Sequence, residues 1–231
     1  MGYGKMADKY FDQNPMVYEA IQDFARNRAV NIFKTLRNDE NEINFLSWLS
    51  EMKFGLQFDK FASAMEYDAD MNGQTPDWLV TANKQTFVAE VVRINLHELE
   101  MTSKIEGFIS PTQADSRLVA TGASKSLDGT YFYGALGKIE KKEIVYRPLI
   151  TNGLIPFIIC VYCSELTLFI FENDFFDFFL GDGKHGYFFR NKEFGENVTG
   201  IFFRDPYNQY KFIKNPIAKN KLNEGNLEFF N

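Results

Sequence analysis

Thr75-Pro76-Asp77-Trp78-Leu79-Val80 and, across a short polar turn, Thr86-Phe87-Val88-Ala89-Glu90-Val91-Val92-Arg93-Ile94 decide the fold. Both runs are rich in β-branched and aromatic residues, the composition of strands. We read adjacent strands over 77–81 and 86–94, joined by the turn 82–85. Side chains alternate along a strand. One face of the second strand therefore carries Val88, Glu90, Val92 and Ile94, and the other carries Phe87, Ala89, Val91 and Arg93. Both faces are apolar around the middle, which marks a strand covered on both sides. Glu90 thus sits where an unpaired carboxylate is expensive, so a metal, an Arg or a Lys is expected beside it. Asp77 opens the neighbouring strand at the sheet's end. Two carboxylates on adjacent strands near one end of a sheet form the usual skeleton of a Mg²⁺ site, with Mn²⁺ a possible substitute.

Working outward, residues 15–37 read as a helix with Pro15 in its first turn. A polar hinge, 38–41, leads to a second helix, 42–53, with Gly55 as its stop. At about 100° per residue, Glu42 shares a stripe with Phe45, Leu46, Leu49 and Met52 and points inward, whereas Glu51 falls on the opposite, solvated side. Residues 56–73 read as irregular. A third helix is expected over 131–146. Strands at 155–163 and 166–171, a short helix near 173–180, a Gly-rich loop at 181–186 and a late strand at 200–204 follow, ahead of a polar tail. Alternating helices and strands give an α/β class with a mixed central β-sheet flanked by helices. No linker divides the 231 residues, so a single domain is expected.

Composition narrows the function. With 25 Lys+Arg against 31 Asp+Glu, the chain is acidic overall. Any polyanion must therefore be gripped by a local basic patch or through bound metal. The longest apolar run, 154–163, is too short for a bilayer, where roughly 20 residues are needed. Cys160 and Cys163 lie three apart in that run and point to opposite faces, so they cannot chelate one ion. Buried free thiols and the lack of a secretory signal suggest a cytoplasmic protein with no membrane partner. The loop from Asp68 to Gly73 imitates a calcium loop, but its twelfth position is Leu79 rather than Glu. His185 lacks the setting of a phosphate loop. His97 has no identifiable partner, and two histidines assemble no Ser/His/Asp set.

Asp77 with its flanking Thr75-Pro76 and Trp78-Leu79-Val80, a short turn, then Phe87-Val88-Ala89-Glu90-Val91-Val92, resembles the core of the PD-(D/E)xK nuclease superfamily. An acid-bearing helix ahead of this hairpin and a helix then a core strand (Phe157 to Tyr162) behind it fit the same order. The resemblance implies a restriction-endonuclease-like core over residues 40–205, with residues 1–38 as an N-terminal helical extension and 206–231 as a polar tail. It implies Mg²⁺-dependent cleavage of phosphodiester bonds in DNA or RNA, with Asp77 and Glu90 holding the metal and Glu42 assisting from its helix. A Lys two residues beyond the Glu usually polarises the attacking water. Position 92 is Val here, and parity sends Arg93 to the opposite face. The helix 131–146 offers the cation instead. With Phe132, Leu136, Ile139 and Tyr146 as its buried stripe, Lys142 flanks the stripe, Lys138 lies farther out and Lys141 points away. Lys142 is thus the first expectation and Lys138 the second.

Nucleic acid is the expected partner, with Lys60, Arg93, Arg117, Lys125 and Lys138 as candidates for a basic groove. A homodimer would suit an enzyme that cuts both strands. Loss of the cation at position 92 leaves the alternative of an inactive nuclease-fold protein, binding nucleic acid or protein without cutting.

Overall fold

A computed structural model describes residues 15–29, 42–94, 136–163, 172–183, 185–205 and 209–230. Its centre is a six-stranded sheet in sequential order: β1 (Ala64–Tyr67), β2 (Trp78–Ala82), β3 (Gln85–Ile94), β4 (Phe157–Cys163), β5 (Gly200–Arg204) and β6 (Tyr210–Lys214). The middle three strands run parallel, while β1–β2–β3 and β5–β6 pair antiparallel. The mixed sheet expected from the sequence is therefore present.

Helices cover both faces. On one side lie α1 (Pro15–Arg28) and α2 (Glu42–Asp59), whose Phe24, Phe45, Trp48, Met52 and Phe58 pack on Trp78, Phe87, Ala89, Val91, Cys160 and Phe202. On the other lie α3 (136–153), α4 (Glu172–Phe179), α5 (Tyr187–Arg190) and α6 (Lys192–Asn197). Their Ile139, Ile150, Phe175, Phe179, Phe188 and Phe194 meet Val88, Val92, Ile159, Val161, Ile201 and Phe203. The two faces of β3 divide between these cores according to residue parity, and every residue of β4 is buried. Cys160 and Cys163 fall in opposite cores as free buried thiols. Rings dominate both layers, so each buried Phe adds roughly 1.5–3 kcal/mol of burial together with edge-on contacts such as Phe58 on Phe87.

Several boundaries differ from expectation. Helix α2 passes through Gly55 to Asp59 rather than stopping there. The glycine serves packing: a Cβ at position 55 would lie 2.3 Å from Cζ2 of Trp78. Residues 64–67, read as irregular, form β1 at the edge of the sheet. Among the described residues α1 ends at Arg28, and 30–41 lie outside them. Helix α3 runs seven residues past its expected end at 146, to 153. The expected strand 166–171 lies outside the described residues. Residues 209–230, read as a polar tail, supply β6 and then α7 (Glu224–Leu227) and a 3₁₀ turn whose Phe230 is buried beside Phe202 and Phe212. β6 sends Tyr210 and Phe212 to one core and Ile213 to the other, while the exposed Lys211 and Lys214 disguise it as tail. Among the described residues no helix is long and apolar enough to cross a membrane.

Candidate active site

The hairpin β2–β3 positions the two strand acids. Its turn residues Asn83 and Lys84 have φ of 45° and 60°. Two consecutive left-handed residues are what a two-residue hairpin turn of the primed type needs. This turn fixes the register from Ala82 opposite Gln85 to Trp78 opposite Ala89. One step further along the ladder, Asp77 falls opposite Glu90. The amide of Asp77 donates to Glu90 Oε2 at 3.1 Å, and the amide of Val91 donates to Asp77 Oδ2 at 2.6 Å. Each acid is thus tied to the other's strand. Glu90 is 1% exposed.

Helix α3 supplies the cation. Lys142 Nζ forms an ion pair and hydrogen bond with Glu90 Oε1. One turn on, Tyr146 donates its phenol hydrogen to the carbonyl of Thr75 at 2.8 Å, just ahead of Asp77. The first expectation for the cation, Lys142, therefore stands beside Glu90, while Lys138 and Lys141 are exposed on the same helix.

A third acid arrives from α2, and it is Glu51. The sequence reading placed it in solvent; the structure corrects that. Glu51 is partly buried, its Oε2 accepts from the Tyr67 hydroxyl at 2.6 Å, and its carbonyl accepts from the Trp78 indole at 2.9 Å. Glu51 is drawn inward because α2 is wedged between α1 and the sheet. Phe45, Trp48, Leu49, Ser50, Met52, Phe54 and Phe58 are all buried, which leaves no single apolar face to oppose. A helix apolar nearly all round was the available signal. Glu42 opens α2, and its side chain lies outside those described.

The electrostatics show too much negative charge in a small space. Burial, then Glu90 and Glu51, push the Asp77 carboxyl well above the usual carboxylate range, against the pull of Lys142 and the Val91 amide. Burial likewise raises Glu51, with Glu90 and Asp68 adding to it and the Tyr67 hydrogen bond opposing. Asp68 is raised by burial and by Glu90. Burial alone would lower the Lys142 ammonium, but Glu90, Asp77 and Glu51 together hold it above its ordinary value. Burial and Glu51 push the Tyr67 phenol up, and burial and Glu90 do the same to Tyr146. One lysine among several acids leaves charge for a further cation to balance.

Hard carboxylate oxygens suit Mg²⁺, which keeps several waters and needs only one or two carboxylates. Asp77 and Glu90 fit that description. Among the described residues no group of three or more His, Cys, Asp or Glu forms a ready-made metal cage. The contrast with Glu143 is useful. That buried acid on α3 is bound by Arg147 at 2.7 Å and Asn197 at 2.7 Å, far more polar support than Asp77 receives.

Of the groove candidates, Lys60 is exposed beyond α2 and bonds Gln57 at 2.6 Å, and Arg93 is partly buried on the α2 side of β3. Arg117, Lys125 and His97 lie outside the described residues. His185 pairs with Asp182 on the surface. No protein-family model, no curated protein and no solved structure matches this chain.

Proposed function

We propose that the chain is a metal-dependent nuclease hydrolysing phosphodiester bonds of DNA or RNA, with Asp77 and Glu90 as the residues that would hold Mg²⁺. The observation that carries this reading is the meeting of Lys142 with Glu90 across from Asp77. A strand with Val at position 92 cannot provide the lysine of the acid-x-lysine pattern, and α3 brings one to the same carboxylate. A bound Mg²⁺ would supply Lewis-acid polarisation of the phosphate and a water of lowered pKa. Lys142, held charged, orients that water or neutralises charge developing on the phosphate. The amides of Asp77 and Val91 fix the two carboxylates, so little reorganisation accompanies the reaction. Glu51 adds a further carboxylate from α2 beside Asp77 and Glu90.

The test is cleavage of single-stranded DNA, duplex DNA and RNA in Mg²⁺ or Mn²⁺. Wild type should cut at least one of them, EDTA should stop it, and Asp77→Asn or Lys142→Met should lower the rate by roughly 100-fold or more. No cleavage of any substrate in either metal would overturn the reading.

One observation favours a second reading, a nuclease fold that binds without cutting. Protein donors already engage Glu90 Oε1, Glu90 Oε2 and Asp77 Oδ2. Nucleic-acid binding that is indifferent to Mg²⁺ and unaffected by Asp77→Asn would select it.

A further inference from the structure

A cleft of about 440 Å³ opens on the α3 side of the sheet. It is lined by Leu136 at the start of α3, Phe178 of α4, Tyr187 and Arg190 of α5, Asn191, and Lys192 of α6. That volume lies within the range of small-molecule sites, about 300–1,000 Å³. One wall is aromatic. Phe178 and Tyr187 lie nearly parallel, 19° apart with ring centres at 5.1 Å, and both are half-buried. Glycine at position 186 permits this approach of α5 to α4, because a Cβ there would lie 2.2 Å from the carbonyl carbon of Leu180.

The rim is cationic. Arg190 is exposed, its guanidinium stands 5.7 Å from the Phe178 ring centre, and among the described residues no carboxylate pairs with it. Lys192 is also exposed and meets Glu196 at 3.7 Å, a surface contact of little energy. No acid lines the cleft. Glu140, on α3, is engaged by Asn191 Nδ2 at 3.4 Å. The same Asn191 amide donates to the Tyr187 hydroxyl at 2.9 Å, while Asn191 Oδ1 accepts from the Phe194 amide at 3.2 Å. Tyr187 is thereby fixed as an acceptor. No second bond engages its hydroxyl among the described residues, so its own hydrogen remains to donate.

An aromatic wall beside two cations and a hydroxyl donor suits a ligand with a flat ring and an anionic group. A phosphate monoester carries about -1.5 to -2 of charge and three acceptor oxygens, a closer match to this rim than a carboxylate of single charge. Nucleobases pack on aromatic side chains whatever their identity. We propose that the cleft binds a nucleoside monophosphate group, its base against Phe178 and Tyr187 and its phosphate on Arg190 and Lys192. The cleft is distinct from the acids: Leu136 precedes Lys142 by six residues, about 9 Å along α3. Its own chemistry selects the ligand, so the inference does not rest on the nuclease reading. A free nucleotide and the phosphorylated end of a strand present the same group, and the probes tell them apart.

Titration calorimetry in EDTA uses the 5′-monophosphates of adenosine, guanosine, cytidine and uridine, the matching nucleosides, inorganic phosphate, and a short single-stranded oligonucleotide with and without a 5′-phosphate. At least one phosphorylated probe should bind, about tenfold or more tightly than its unphosphorylated counterpart and than inorganic phosphate. Tighter binding of the mononucleotide makes the free ligand the source, and tighter binding of the phosphorylated oligonucleotide makes it a strand end. Arg190→Gln should weaken binding about tenfold, since it removes a charge-assisted, forked donor. Lys192→Gln should weaken it less, because Lys192 is shared with Glu196. Asp77→Asn should bind as wild type does. Should Arg190→Gln melt early, Lys192→Gln alone is read. Failure of every phosphorylated probe to bind overturns the cleft, as does wild-type affinity in both glutamine variants. So does a nucleoside or inorganic phosphate that binds as tightly as the nucleotide, or a loss of binding in Asp77→Asn. Absence of cleavage in Mg²⁺, with nucleotide binding that depends on Arg190, removes the nuclease and keeps the cleft.

Discussion

Val92 sits where the acid-x-lysine pattern wants a cation, and its side chain is 3% exposed in the core beneath α3. A lysine there would have to be buried among Val88, Ile139 and Ile159. The charge comes instead from Lys142, whose long stem lets the ammonium reach Glu90 while the residue stays partly exposed. Removing it strands a buried carboxylate. Lys142→Met should cost about 2 kcal/mol of stability, below the roughly 3–5 kcal/mol of a fully buried pair because Lys142 keeps solvent contact. Thermal denaturation checks this, and Mg²⁺ should raise the melting temperature of the variant more than that of wild type. The acids also give a pH signature. Asp77 and Glu51 hold folded-state pKa values above their ordinary 3.8 and 4.5. Above the ordinary values the folded protein therefore keeps protons that the unfolded chain has released, and stability falls as pH rises through that window. In metal-free buffer the unfolding free energy of wild type, relative to Asp77→Asn, should decline from about pH 4 upward. A difference that grows with pH would contradict the buried, crowded carboxylates.

At the scale of elements, the hairpin and the helix behind it were legible because their signals are local. Alternation put Glu90 with Val88 and Val92 and Arg93 with Phe87 and Val91 on opposite faces, and those apolar neighbours do divide between the α3 and α2 cores. The stripe Leu136, Ile139 and Tyr146 singled out Lys142 over Lys138 and Lys141 for the same reason: one side of α3 touches the sheet. Glu51 was misread because α2 touches protein on most sides. Gly55 was misread because a glycine that ends a helix and a glycine that lets an indole approach look alike in sequence. The second role makes a prediction whose sign runs against helix propensity. Ala is favoured over Gly by about 1 kcal/mol within a helix. Yet a Cβ here meets the Trp78 ring at 2.3 Å and Phe24 at 2.7 Å. Overpacking of that kind costs typically 1–3 kcal/mol. Gly55→Ala should therefore lower the melting temperature. A rise would mean that Trp78 moves aside freely.

For the whole molecule, the sheet's register decides what can meet. Antiparallel pairing of β2 with β3 sets Asp77 against Glu90, and parallel pairing of β3, β4 and β5 sets Arg93, Tyr162 and Arg204 in one row. The hairpin made the first row legible, but the second cannot be read from spacing alone, since residues 93, 162 and 204 become neighbours only once strand order and register are fixed. The edge strands were missed for the opposite reason. β1 and β6 are short and half-wet, and their polar positions imitate loop. Acids and cations thus lie at one end of the sheet, on opposite faces.

Titration calorimetry of Mn²⁺ into metal-free protein tests the central claim most directly. Wild type should bind the ion, and Asp77→Asn should lose the binding while still melting cooperatively. Heat of binding unchanged in Asp77→Asn, or no binding by folded wild type, would contradict a metal centre on Asp77 and Glu90.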